Sequence, residues 1–202
     1  MSRGSKPAML LVAVMTLAAA LVSCSGDHGG PSRSFDGKTS VRLPFDAKAT
    51  AETYTVDILL KSRTVPSDPD YENTETTPPM PFRLGRLGAS LTAEGYRFWQ
   101  RQADETILVN ATVGDPAEFT RLTFVGGPDC LIIYVNGGEA VRTAYPAPLT
   151  GPALAGVGHR KRYWRGEIAY FDIYDQMKVL GEFDPKAGRF DEEGRIASLP
   201  LK

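Results

Sequence analysis

A run of cations and aromatic rings near residue 160 is well suited to bind an anion. Four basic and two aromatic side chains occupy six consecutive positions: Arg160, Lys161, Arg162, Tyr163, Trp164 and Arg165. Guanidinium and ammonium groups bond strongly to sulfate, carboxylate or phosphate, and an aromatic ring can cover the face of a sugar. The sequence therefore predicts a ligand-binding loop here. The alternative is a solvated loop leading into the last strand, with Trp164 entering the core.

A second group of chemically useful side chains is acidic. Residues 62–81 contain five prolines, and their carboxylates are Asp68, Asp70, Glu72 and Glu75. So long a loop in a compact domain is often functional, and calcium prefers oxygen ligands. The segment is therefore a candidate calcium site. The alternative is a solvated acidic loop, because calcium takes six to eight oxygens and no spacing here matches a defined calcium-binding loop.

The two thiols of the chain, Cys24 and Cys130, call for different interpretations. Cys130 precedes the apolar residues 131–133, and a thiol next to a base such as His159 could act as a nucleophile. The alternative for Cys130 is a small turn or core residue. With Cys24 modified as described next, no intramolecular disulfide is expected.

Residues 1–23 have the pattern of a signal peptide. Arg3 and Lys6 precede an uncharged run that is shorter than the ~20 apolar residues of a membrane-spanning helix. The sequence Leu21-Val22-Ser23-Cys24 resembles the lipobox of bacterial lipoproteins, which implies that Cys24 carries acyl chains. Two or three such chains, at ~0.8 kcal/mol per buried methylene, anchor a protein stably. We expect an envelope protein, and Ser25 resembles an outer-membrane sorting signal; the alternative is an ordinary secretory signal.

The composition bounds the remaining chain. Removal of residues 1–23 leaves 21 basic and 24 acidic side chains, a net charge of −3, which gives no indication of a nucleic-acid partner. About 178 residues remain, enough for one domain with a core that buries roughly 70% of its unfolded surface. Residues 24–33 are small and polar, and we interpret them as a lipid-anchored flexible tether.

Apolar side chains beyond the tether recur mainly at every second position, which indicates strands. Tyr54, Val56, Ile58 and Leu60 alternate with polar residues. The same pattern predicts strands over residues 96–99, 106–109, 120–125, 131–135, 140–143 and 164–174. Short strands separated by Gly and Pro favour an all-β antiparallel sandwich. Asn136-Gly137-Gly138 predicts a tight hairpin, since these residues tolerate positive φ.

Several motifs together resemble a known family. These are Ser34-Phe-Asp-Gly37, Leu131-Ile-Ile-Tyr-Val-Asn-Gly-Gly-Glu139 and Tyr163-Trp-Arg-Gly-Glu-Ile-Ala-Tyr-Phe-Asp-Ile-Tyr174. Their order is similar to that of successive strands in laminin-G-like, concanavalin-A-like lectin/glucanase domains. The resemblance implies a jelly roll of two antiparallel sheets over residues 34–180. Residues 181–202 lie outside it and would form an added hairpin or a tail.

Glucanases of this fold hydrolyse sugars with two carboxylates about 5 to 5.5 Å apart. The nearest acidic stretch here runs from Glu167 to Asp172, and an odd separation of five places the two side chains on opposite faces of a regular strand. The catalytic pair of the family is therefore not expected. Catalysis would need carboxylates gathered from separate strands.

These observations favour a non-catalytic binding module on the envelope that recognises glycan or another surface polymer through loops and one sheet face. Fold resemblance alone does not establish that function. Two alternatives stay open. One is a structural or assembly lipoprotein that docks a protein partner through an exposed apolar patch. The other is a polysaccharide hydrolase or lyase with buried acids clustered in a groove.

Overall fold

The computed structural model describes residues 30–45, 52–63, 79–92, 95–102, 105–110, 116–144, 148–159, 162–178 and 189–201. This part of the chain contains strands and no helix, and none of it forms a helix long and apolar enough to cross a membrane. The strands are β1 Arg33–Asp36, β2 Val41–Arg42, β3 Tyr54–Ser62, β4 Met80–Leu84, β5 Leu87–Thr92, β6 Gly95–Gln102, β7 Glu105–Asn110, β8 Thr120–Gly126, β9 Leu131–Val135, β10 Gly138–Thr143, β11 Ala153–His159, β12 Arg162–Tyr163, β13 Arg165–Tyr174 and β14 Arg195–Ser198.

The strands form two antiparallel sheets. Sheet 1 has the order β1-β13-β3-β8-β9-β10, with β14 also paired to β13. Sheet 2 has the order β12-β11-β4-β5-β6-β7, with β2 also paired to β11. The predicted all-β antiparallel sandwich is thereby confirmed. All seven predicted strand segments fall on strands, apart from Trp164, which lies between β12 and β13.

The core lies between the sheets because each central strand directs every second side chain inward. In β3 the inward residues are Val56, Ile58 and Leu60, all fully buried. Aromatic rings join the two sheets: Phe82 of sheet 2 packs edge-on against Phe124 of sheet 1, with ring centroids 5.2 Å apart. Burial of each such side chain contributes roughly 1.5–3 kcal/mol. The remaining side chains of these strands lie on the outer face of each sheet, where polar groups can interact with solvent or a ligand.

The predicted hairpin is confirmed. Val135 of β9 pairs with Gly138 of β10, and the two residues between them have positive φ, 48° at Asn136 and 83° at Gly137. A turn with positive φ at both central residues matches the twist of the strands. The side-chain oxygen of Asn136 also accepts a hydrogen bond from the backbone nitrogen of Arg121, 2.9 Å away. That bond fixes the turn against β8.

Strand β13 contains an irregularity that changes which face its residues occupy. Ile168 is opposite Leu60 of β3, but Tyr170 is opposite Leu59, so Ala169 is an extra residue without its own partner. Before this bulge the even-numbered Ile168 faces the core, and after it the odd-numbered Phe171 and Ile173 do. A bulge inverts the alternation beyond it, because one residue is inserted into a period of two.

The two ends of the described chain meet at one edge of sheet 1. Strand β1 pairs with residues 165–168 of β13, and β14 pairs with residues 172–174 on the same side. The guanidinium of Arg33 donates to the carbonyl oxygen of Pro200 at 2.8 Å, where the two strands abut. Part of the segment beyond residue 180 therefore completes the sandwich.

Candidate functional site

The outer face of sheet 2 brings together arginines that are far apart in sequence. Phe82, Ala89 and Phe98 are fully buried on the core side of three neighbouring strands. The residues next to them point outward, because successive side chains of a strand alternate. We call the set Arg42, Arg83, Arg97 and Arg101, with the ring of Trp99, the arginine face.

The cross-strand register places these side chains in adjacent rows. Arg42 and Arg83 both pair with Leu154 of β11, on its two sides, which puts them about 10 Å apart along the backbone. Arg83 is opposite Gly88, and Gly88 is opposite Trp99. Arg97 and Arg101 flank Trp99 on β6, about 13 Å from each other. The face extends across β2, β11, β4, β5 and β6.

Gly88 allows the indole of Trp99 to lie across β5. A Cβ atom at Gly88 would stand only 2.4 Å from Cζ2 of Trp99, closer than real Cβ contacts come. The guanidinium carbon of Arg101 lies 5.9 Å from the Trp99 ring, a cation–π contact. Trp99 is 9% exposed as a result. The indole is thus the base of the face, and the groups that reach solvent are guanidiniums.

The arginine face is strongly positive. Among the side chains that the structure describes, no carboxylate forms an ion pair with any of its four arginines. The Nε of Arg83 donates to the carbonyl oxygen of Gly85, at 3.3 Å. Four positive charges on one surface create a local potential that attracts anions.

The described residues at the end of the predicted ligand-binding run belong to both sheets. Tyr163 ends β12 of sheet 2, is half-buried, and is opposite Gly158 of β11. Arg165 begins β13 of sheet 1, is exposed, and pairs with Asp36 in the strand register. The chain changes sheets at the residue between them. Tyr163 and Arg165 therefore belong to different sheets, and a ligand role for Arg160, Lys161 and Arg162 stays a prediction.

Trp164 corrects the prediction that its ring binds a ligand. The side chain is fully buried, and its Nε1 donates to the hydroxyl of Ser62 at 2.8 Å. Its ring packs against Phe35, with centroids 5.6 Å apart. A ring enclosed between two sheets cannot stack on a sugar at the surface. The alternative, in which Trp164 enters the core, is the arrangement found.

Other predicted site residues lie outside the described part of the chain. These are Cys24, Asp68, Asp70, Glu72, Glu75, Arg160 and Lys161. The backbones of His159 and Arg162 belong to β11 and β12, but their side chains are not described. Among the described residues, no group of three or more Asp, Glu, His or Cys is arranged to hold a metal ion. Cys130 is half-buried in the turn between β8 and β9, where its carbonyl oxygen accepts from Gly127.

The expectation that Glu167 and Asp172 lie on opposite faces of a strand is wrong. The bulge at Ala169 inverts the alternation, so both carboxylates point away from the core. Glu167 is opposite Lys61 and Asp172 is opposite Asp57, which separates the two acids by about 13 Å along the strand. That separation exceeds the 6.5–9.5 Å of even an inverting glycosidase. The distance between Glu167 and Asp172, and not their placement on opposite faces, is therefore the reason that they form no catalytic pair.

A pair of carboxylates that sequence reasoning missed occupies the outer side of sheet 1. Asp57 and Asp172 are directly opposite each other, and both are fully buried. Arg121 bonds Asp57 through two nitrogens, at 2.8 and 2.6 Å, and Arg189 holds Asp172 through two nitrogens as well. Burial raises the pKa of Asp57, while its bonds to Arg121 and Thr123 lower it. Both carboxylates are enclosed and bonded, which suits a structural ion network.

The arginine face itself was also missed, although one signal was present. Arg97, Trp99 and Arg101 alternate with Phe98 and Gln100 in a predicted strand, so the spacing placed them on one side. Strands β4, β5 and β11 were not predicted, because Gly, Pro and Ala interrupt their alternation. Without those strands Arg83 and Arg42 could not be assigned to the same surface.

Comparisons with known proteins identify the fold. No protein-family model and no curated protein sequence matches this chain. Similar solved structures include a protein from Bacteroides ovatus proposed to bind carbohydrate, with a TM-score of 0.60, 10% identity, and coverage of 82% of this chain and 50% of that one. Another is domain 4 of the arabinanase AbnA from Geobacillus stearothermophilus, in complex with arabinotriose (TM-score 0.54, 21% identity, 76% and 80% coverage).

A third similar structure is the binding domain of Paraclostridial Mosquitocidal Protein 1, with a TM-score of 0.52, 10% identity, and coverage of 75% of this chain and 44% of that one. The present chain thus spans about half of the first of these proteins and less than half of the third. At these identities the likeness concerns the fold. The chain is a two-sheet antiparallel β-sandwich, and this fold is what it shares with these structures.

Proposed function

We propose that this protein is a non-catalytic binding module that recognises glycan or another surface polymer on the outer face of sheet 2. The observation that carries the proposal is the arginine face: four guanidinium groups without a described carboxylate partner, spread over a platform based on Trp99 and Gly88. The four arginines are distributed over sheet 2 from β2 to β6, an extent that suits a polymer.

The similar structures support a carbohydrate as the ligand. One is of a protein proposed to bind carbohydrate, and another holds arabinotriose. A shared sandwich does not transfer the ligand by itself, because unrelated functions occupy the same fold. The arginine face is a specific polar surface on this chain, and it is the evidence for a ligand site that the fold alone does not give.

The described carboxylates favour binding over hydrolysis. Glu167 and Asp172 share a face but are about 13 Å apart. Asp57 and Asp172 are close together, yet each is buried and bonded to an arginine. Three large apolar side chains are exposed among the described residues, Met177, Ile196 and Leu201, each by 36–42%. The exposure of these three side chains does not favour docking of a protein partner over binding of a polymer.

The proposal also includes attachment of the module to the cell envelope, at the outer membrane, through a lipid on Cys24. The lipobox-like sequence and the uncharged run before it support this part. The residues between Cys24 and β1, which begins at Arg33, are small and polar, as a tether would require. Membrane attachment would hold the module near polymers of the cell surface.

A panel of soluble and immobilised polysaccharides, offered to the purified full-length chain, tests the proposal. We expect selective retention without release of shorter sugars. A variant Gly88→Ala should bind more weakly, because the added methyl group forces the Trp99 indole to move. The matched control is Gly138→Ala, at an exposed position whose Cβ would meet only ordinary contacts. Release of product would overturn the non-catalytic reading, and equal binding by both variants would exclude this face.

A further inference from the structure

We propose that the ligand of the arginine face is an acidic polysaccharide, one whose sugars carry carboxylate or sulfate groups. This inference rests on the proposed function and adds the chemical class of its ligand. Three observations support it. The exposed groups of the face are guanidiniums, the described residues give them no carboxylate partner, and the face extends over several strands.

The groups that reach solvent are charged. Trp99 is 9% exposed, and the guanidinium carbon of Arg101 lies 5.9 Å from its ring centroid, so little of the indole is available to a neutral sugar. Arg42 and Arg101 are exposed, and Arg83 and Arg97 are half-buried. A ligand that approaches this side of sheet 2 therefore meets hydrogen-bond donors with positive charge before it meets an aromatic surface.

Ion pairs of arginine with carboxylate are described at sheet 1 but not at the arginine face. Four arginines on or beside sheet 1 each contact a carboxylate: Arg63 with Glu167, Arg121 with Asp57, Arg142 with Glu139 and Arg189 with Asp172. On sheet 2 the described side chains provide no such partner. Since like charges on one surface repel, an anionic ligand would relieve the repulsion among these four guanidinium groups.

The size of the face points to a polymer. Arg42 and Arg101 are separated by four strand spacings, about 20 Å, so one small anion cannot contact both. An extended chain with repeated anionic groups can cross the strands and meet several guanidiniums. Arginine suits this role because its planar group bonds carboxylate and sulfate oxygens through two nitrogens.

The test compares dextran sulfate and polygalacturonate with uncharged dextran, using the full-length chain. We expect binding to one or both acidic polymers and none to dextran. Affinity should fall roughly tenfold or more between about 20 and 200 mM sodium chloride, because exposed charge pairs are screened and bound counterions are released.

A double variant locates the interaction. Arg97→Gln with Arg101→Gln should weaken binding roughly 2- to 30-fold, the range that loss of two surface charge pairs commonly gives. The matched control, Arg63→Gln with Arg142→Gln, removes the same charge from exposed positions at sheet 1. It should stay within about twofold of the unmodified chain, and thermal melting shows whether each variant is folded.

The outcomes separate this inference from the proposed function. Salt-insensitive binding to dextran that survives the Arg97→Gln, Arg101→Gln change would overturn the acidic class and leave glycan recognition intact. Equal loss in the sheet 1 control would overturn the arginine face as the site. Tighter binding to duplex DNA or to anionic phospholipid vesicles than to either acidic polymer would overturn the polysaccharide. Failure to bind any polysaccharide would overturn both proposals.

Discussion

The ion pair of Asp57 on the outer side of sheet 1 depends on a few single residues. Its carboxylate is fully buried and accepts hydrogen bonds from Arg121 and from the hydroxyl of Thr123. The Arg121 guanidinium lies between the rings of Tyr170 and Phe190, 5.7 and 4.9 Å from their centroids. A buried ion pair of this kind is stabilising only while both partners are present.

We predict that Arg121→Met lowers the free energy of unfolding by about 3–5 kcal/mol at pH 7, because it leaves an uncompensated buried charge. Without Arg121 the pKa of Asp57 rises further above its ordinary value, since burial already raises it. The folded variant then binds the proton more tightly than the unfolded chain does, so its deficit should shrink as pH falls. Urea unfolding at pH 7 and about pH 4.5 measures this.

The double variant Asp57→Asn, Arg121→Met is the control for that interpretation. It should be less destabilised than the sum of the two single changes, because it removes the charge together with its partner. It should also lose the pH dependence that Arg121→Met acquires. A deficit in Arg121→Met that is the same at both pH values would show that lost packing of the arginine, and not the unpaired carboxylate, causes the destabilisation.

At the scale of the element, the β9–β10 hairpin is specified by two residues. Gly137→Ala should destabilise the protein by about 1–2 kcal/mol, because φ there is 83° and a Cβ atom is strained in that conformation. Gly138→Ala, one position later, should stay within about 0.5 kcal/mol, because its Cβ would lie 3.6 Å from the nearest atom. Chemical denaturation of both variants checks the pair, and equal losses would contradict the turn geometry.

Unlike the hairpin, the bulge in β13 is not predicted by any local sequence feature. In a regular strand, the odd-numbered residues of 165–174 would lie on one face and the even-numbered residues on the other. One extra residue, Ala169, moves Asp172 and Tyr174 to the side that Glu167 occupies. Asp172 thereby meets Asp57, and the outer side of sheet 1 gains a buried network that the regular pattern excludes.

At the scale of the whole molecule, the prediction concerns attachment to a membrane. Cys24→Ser should abolish incorporation of labelled fatty acid in cells and leave an unlipidated precursor, because the sulfur of Cys24 is the proposed attachment atom. Cys130→Ser is the matched control and should incorporate label normally, since Cys130 lies in a turn of the folded domain. Label retained in Cys24→Ser would show that the lipobox interpretation is wrong.

The sequence by itself determined the features that depend on neighbouring residues. The alternation from Tyr54 to Leu60 predicted a half-buried strand, and Asn136-Gly137 predicted the hairpin, because period and turn geometry are properties of a few adjacent residues. Short strands between Gly and Pro predicted the antiparallel sandwich. These expectations agree with β3, with the turn at Asn136, and with the two sheets.

Only the tertiary structure decided where the chemistry lies. Arg42, Arg83 and Arg97 share a face because β2 and β4 pair with the two sides of β11, and β5 joins β4 to β6. Trp164 became a core residue because the chain changes sheets there. Cross-strand register is set by contacts between residues distant in sequence, and a one-residue shift exchanges the two faces of a strand. The local pattern therefore specified strands, and their pairing assembled the arginine face.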